Sequence, residues 1–130
     1  MFHPVQPQEL DEVWKRIGKK VGRDCKKLEN GLTAQFLKEQ IESNRMGLMV
    51  WGSGFCILQV TELPEFKTLD VILIGGGSMD VWLDDLIQEL KRLAQLHKCK
   101  YIQEAGRMGW LKTLSKFGFQ SQFTIMRCEV

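Results

Sequence analysis

The sequence predicts an α/β domain of the α+β kind: a mixed, mostly antiparallel sheet with one parallel strand pair, flanked by helices. Three observations predict it. Two amphipathic helical stretches come first, and strand-like stretches joined by short turns follow. The apolar run Val71–Ile74 then passes through three glycines into a long amphipathic helix and another strand. Short turns make neighbouring strands antiparallel. The strand–helix–strand unit from Thr68 to Gly106 makes a right-handed parallel crossover. At 130 residues the chain is one domain, with residues 1–46 as its helical part and 47–130 as its sheet.

In chain order, Leu10, Val13, Trp14, Ile17 and Val21 recur at helical spacing. Acidic Glu9, Asp11 and Glu12 precede basic Lys15, Arg16, Lys19 and Lys20, the order the helix dipole favours. In the second helix Thr33 stands at the N-cap, and Leu37 and Ile41 are four apart. The stretch 47–63 reads as two strands turning at Gly52-Ser53-Gly54. The third strand carries Val71–Ile74, as a central strand buried on both faces does. Pro64 fits the loop before it. Leu83, Leu86, Ile87, Leu90, Leu93 and Leu96 stripe the next helix, with Asp80, Asp84 and Asp85 in front and Lys91, Arg92, His97 and Lys98 behind. The strand YIQEAG, a short helix in RMGWLKTLSKFGF and a final strand SQFTIMRCEV complete the order.

No apolar run approaches the roughly 20 residues of a membrane helix. The N-terminal stretch has neither the basic nor the apolar region of a secretory signal, so a cytoplasmic setting is expected. Cys25, Cys56, Cys99 and Cys128 are scattered without a CxxC pair, which favours reduced thiols and gives a metal site no support. A net charge of +2 does not by itself imply a nucleic-acid partner. The cluster Lys15, Arg16, Lys19, Lys20, Arg23, Lys26 and Lys27, opposed only by Asp24, fits a solvated face, an acidic protein, nucleic acid or cofactor phosphates. It lacks the interleaved aromatics that stack bases.

The strand LDVILIGG, the helix through LIQELKRLAQLHKCK, the strand YIQEAG and the segment WLKTLSKFGF follow one another in a particular order. Together they resemble the GNAT superfamily of N-acyltransferases over the last two-thirds of the chain. The GRMGW step is similar to small GNAT-like proteins of bacteriophages. The resemblance implies a single GNAT-like domain whose residues 47–130 form a cofactor-cleft-like core. It also implies acetyl-CoA as cofactor and an amine as acceptor. Such proteins seat the pyrophosphate on backbone N–H groups of a loop that opens the long helix, where unpaired donors and the dipole meet an anion.

Ile74, Gly75, Gly76, Gly77 and Ser78 stand at that place, and Arg107 at the next strand-to-helix corner offers a forked donor. The glycines do not reproduce the family's Q/R-x-x-G-x-G/A loop. A sharp corner with Asp80 capping the helix therefore stands beside an altered phosphate loop. Acyl transfer needs a base for the amine, and Glu62, Glu65 and Glu104 are the candidates, each also fitting a solvated charge. The family's Tyr acid is replaced by Leu114, and the Asn that often begins its last helix by Arg107. Trp110 suits packing under the sheet, His97 a helix end, and Cys99 lacks a neighbour that would activate it. Two functions follow: an acyl-CoA-dependent N-acyltransferase, or a non-catalytic GNAT-fold interaction or virion-associated protein in host cytoplasm or virion.

Overall fold

The computed structural model describes residues 2–77, 79–105 and 112–130. The elements are β1 (His3–Pro4), α1 (Leu10–Leu28), α2 (Ala34–Glu42), β2 (Gly47–Trp51), β3 (Gly54–Glu62), β4 (Lys67–Gly75), α3 (Met79–Leu96) and β5 (Tyr101–Glu104). One five-stranded sheet runs in the order β1-β2-β3-β4-β5. Its pairs are antiparallel except β4 with β5, which is parallel. The expected mixed sheet with one crossover is the observed one.

The helices pack on both faces because each strand alternates. Leu48, Val50, Phe55 and Ile57 join Val13, Ile17, Val21, Leu37 and Ile41 of α1 and α2 in one core. Met49, Trp51, Cys56 and Leu58 point the other way and meet Trp82, Leu83, Leu86, Ile87 and Leu90 of α3. Leu86, Ile87 and Leu90 are at most 1% exposed, and each contributes roughly 1.5–3 kcal/mol by leaving water.

Local signals set the ends. The Thr33 hydroxyl accepts the Phe36 N–H at 3.1 Å and caps α2. The hairpin turns at Gly52, whose φ is +47°, and Trp51 pairs with Gly54 across it. Helix α1 runs past Val21 to Leu28, because Cys25 and Leu28 continue the apolar stripe.

One element is added to the expected order and one is corrected. His3 is held in β1 against Val50, and its Nε2 lies 2.7 Å from Glu9 Oε2. The final strand does not form: among the described residues 119–130 have no ladder partner, and Phe123 and Ile125 are exposed. Apolar alternation gives a segment strand propensity but not the neighbouring edge a strand needs. The first part of the short helix, with Trp110, lies outside the described residues, and a 3₁₀ turn at Ser115–Phe117 follows. Among the described residues no helix is long and apolar enough to cross a membrane, and no group of metal-ligating side chains gathers. All four cysteines are free.

Candidate active site

The site begins with a fault in β4. Ile57 pairs with Leu73 but Leu58 pairs with Val71, so Ile72 is an extra residue on β4. The bulge reverses the strand's alternation. Val71 belongs to the core under α3, whereas Leu73 belongs to the core under α1. Pairing between β4 and β5 ends one residue earlier, at Val71 and Glu104. β4 continues to Gly75 with only β3 beside it among the described residues. Among the described residues the ladder between the parallel strands thus ends at Glu104, where β5 itself ends, and the four residues Ile72–Gly75 have no partner on that side.

A cleft of about 300 Å³ opens there, the lower end of the size range of small-molecule sites. The α1 residues Lys20, Asp24, Lys27 and Leu28 form one wall, the bulged edge Ile72–Gly76 another, and Glu104 and Ala105 the third. A smaller hollow of about 130 Å³ lies at the start of α3, lined by Ile74, Gly75, Gly76, Gly77, Met79 and Trp82. The two share Ile74, Gly75 and Gly76, so the end of β4 separates a space against α1 from a space against α3.

The three glycines have separate reasons to be glycine. A Cβ on Gly75 would fall 2.6 Å from Asp24 Oδ2 and 2.8 Å from the Phe55 ring. Gly76 has φ +89°, and its Cβ would lie 2.1 Å from the Ser53 carbonyl oxygen in the β2–β3 turn. Gly77 has φ +70°, and its Cβ would meet Ser53 Oγ and Trp82 Nε1 at 3.2 Å. Gly75 and Gly76 are thus required by internal packing, while Gly77 keeps a small space clear beside an indole N–H. That N–H of Trp82 is buried without a hydrogen-bond partner among the described residues. Asp80, expected as the helix cap, is instead the second residue of α3; it is exposed and makes no hydrogen bond among the described residues. The first-turn N–H groups are therefore not taken up by its carboxylate.

Of the three carboxylates, only Glu104 reaches the cleft. Burial pushes its carboxyl up to about 7, because the ionised form loses water without gaining a compensating charge among the described residues. Its charge is felt by Cys56, whose thiol is driven far up, mainly by its own complete burial and secondarily by Glu104. Glu62 and Glu65 lie at the other end of the β3–β4 hairpin. Glu62 pairs with Lys67 across the β3–β4 hairpin at 3.1 Å, and Glu65 sits exposed in the connecting turn. Eight residue steps of about 3.3 Å put that end roughly 26 Å from Gly75.

The other candidates resolve as follows. Ser78 and Arg107 lie outside the described residues. Leu114 is 6% exposed and packs in the core under α3, with no proton to donate. Burial raises the Cys99 and Cys25 thiols, which makes both poor nucleophiles. His97 is exposed just beyond α3. The basic cluster lies along α1, and two of its members, Lys20 and Lys27, turn into the cleft. Sequence reasoning did not single out Asp24 or Trp82, or the bulge at Ile72. Lys20, Asp24 and Lys27 share helical spacing, and that was the available signal.

No protein-family model matches the sequence, and the curated proteins give no significant match. Solved structures do. A probable acetyltransferase superposes with a TM-score of 0.75 at 12% identity, covering 100% of this chain and 97% of that one. An acetyltransferase of Trypanosoma brucei gives 0.70 at 12% identity, with 100% and 99% covered. An aminoglycoside acetyltransferase from an uncultured soil metagenomic sample, in complex with sisomicin, gives 0.68 at 10% identity, with 100% and 95% covered. At such identities the likeness is one of fold, and the chain has the GNAT-like α/β architecture of these acetyltransferases.

Proposed function

We propose that the protein is an acyl-CoA-dependent N-acyltransferase, with Glu104 as the base that prepares the acceptor amine. The observation that carries this is a buried carboxyl, held near 7, that lines the cleft where the β4–β5 ladder ends. Near neutral pH such a group accepts a proton and returns it to solvent readily. An ammonium entering the cleft against α1 would pass its proton to Glu104 and become a nucleophilic amine.

The residues at the start of α3 fit the cofactor in kind. Ile74, Gly75, Gly76 and Gly77, the first turn of α3, and the Trp82 indole N–H, unpartnered among the described residues, offer donors to an anionic group. Ser78 and Arg107 are proposed for the same role from their sequence positions. When bound, acetyl-CoA supplies an activated acyl group as a thioester. The chain's own contribution is to hold that group on the α3 side of β4, admit the amine from the α1 side, and take the amine's proton. Leu114 packs in the core and has no proton to donate, so solvent would have to protonate a leaving thiolate.

Melting with millimolar acetyl-CoA, CoA and ATP tests this. Ligand at about 100 times its Kd adds about 2.7 kcal/mol. A rise with acetyl-CoA and CoA but not with ATP is expected, and no rise would overturn the proposal. The alternative is a GNAT-fold interaction or virion-associated protein without catalysis. It draws on the buried Leu114 and on the packing roles of Gly75 and Gly76. Acetyl-CoA turnover that disappears in Glu104→Gln would exclude it.

A further inference from the structure

The wall that α1 gives to the cleft has an unusual charge order. Lys20, Asp24 and Lys27 stand at i, i+4 and i+7, so they share one face of the helix, and all three line the cleft. None forms an ion pair among the described residues, whereas elsewhere on the same helix Lys15 pairs with Glu12 and Asp11 with Lys38. Asp24 lies with its Oδ2 against Gly75, and Glu104 lines the same cleft from the end of β5. Lys27 is exposed and Lys20 half-buried. Lys19, Arg23 and Lys26 add positive charge to the adjoining turns, with Asp24 the one acid among them. A polycation approaching this wall would be repelled, while an anionic group would be drawn to it.

We propose that the acceptor is an amine that also carries an acidic group, with its ammonium received by Asp24 and Glu104 and its carboxylate or phosphate by Lys20 and Lys27. This rests on the acyltransferase assignment for its meaning as an acceptor site, but the binding preference is separately measurable. It sets the chain apart in substrate class from the aminoglycoside acetyltransferase whose fold it shares. An aminoglycoside brings several ammonium groups and no acid, and would leave both lysines facing like charge.

The test is a titration of the ¹⁵N-labelled full chain with O-phosphoethanolamine, β-alanine and spermidine, followed by NMR. Either zwitterion should move amides of Lys20–Leu28 and Ile72–Gly75, and the tighter one identifies the acid. Spermidine should bind about tenfold more weakly or worse, as expected when charge-assisted hydrogen bonds are replaced by repulsion. The double variant Lys20→Glu with Lys27→Glu should reverse this order, with a melt to confirm that it folds. The proposal is overturned if neither zwitterion moves these amides, if spermidine binds as tightly as the better zwitterion, or if the double variant leaves the order unchanged. Acetyl-CoA is titrated separately. Zwitterion binding in the cleft without acetyl-CoA binding would sink the acyltransferase assignment and leave the charge-selective site standing.

Discussion

Glu104→Gln separates stability from activity in a way that depends on pH. The carboxyl titrates near 7 in the folded chain and at an ordinary 4.5 when burial is removed. Below 4.5 both states are protonated and burial imposes no ionisation penalty. Between 4.5 and 7 the unfolded chain releases this proton while the folded chain keeps it, so stability falls as pH rises. Above 7 the loss levels off. At 1.36 kcal/mol for each pKa unit, the difference amounts to about 3 kcal/mol. Glutamine keeps the shape and cannot ionise. The variant should therefore match the parent at pH 4.5 and exceed it by up to about 3 kcal/mol at pH 8, or roughly 10 °C in Tm for a chain of this size. Urea and thermal melts of both proteins from pH 4.5 to 8.5 measure it. Acyl transfer, where found, should rise through pH 7 in the parent and be lost in the variant. A gain independent of pH, or no gain at pH 8, would show that Glu104 is solvated and would remove it as the base.

Other substitutions test the architecture. Gly76→Ala should destabilise by at least about 2 kcal/mol in urea, since φ +89° and a Cβ 2.1 Å from the Ser53 carbonyl oxygen both oppose it; Gly47→Ala, with open space around it, is the control. Thr33→Ala should lower stability by about 1 kcal/mol, and retention of that stability by Thr33→Ser would assign the effect to the hydroxyl. Leu86→Ala, in the fully buried core under α3, should cost about 2–5 kcal/mol, measured as a lower urea midpoint at unchanged m-value.

What was legible in the sequence was whatever depends on short-range spacing. The stripes of α1 and α3, the Thr33 cap, the hairpin at Gly52 and the crossover through α3 are all written in residues close together. What depends on distant chain was not. β1 is two residues long and exists only because β2 offers it an edge. The tail carries strand-like text but meets no edge among the described residues. The bulge at Ile72 hides inside a continuous apolar run, where every register looks equally buried. Glu62, Glu65 and Glu104 are chemically alike in a sequence. Only the fold shows that the first two sit at a hairpin turn, while the third lines a cleft at the end of the β4–β5 ladder. Likewise the spacing of Lys20, Asp24 and Lys27 puts them on one helix face, but a solvated face and a cleft wall have the same spacing.

The paired indoles of Trp51 and Trp82 give the molecule an optical property. Their rings lie 5.1 Å apart at 62°, and both N–H groups are buried without partners among the described residues. Two transition dipoles so close and so inclined should couple, producing a split band in the ultraviolet circular dichroism that vanishes if either ring is replaced. Trp82 also borders the hollow at the start of α3. A guest that hydrogen-bonds to its indole would red-shift the emission and disturb the coupling together. The chain thus carries a light-readable gauge beside its glycine corner, able to follow occupancy in real time without an attached dye.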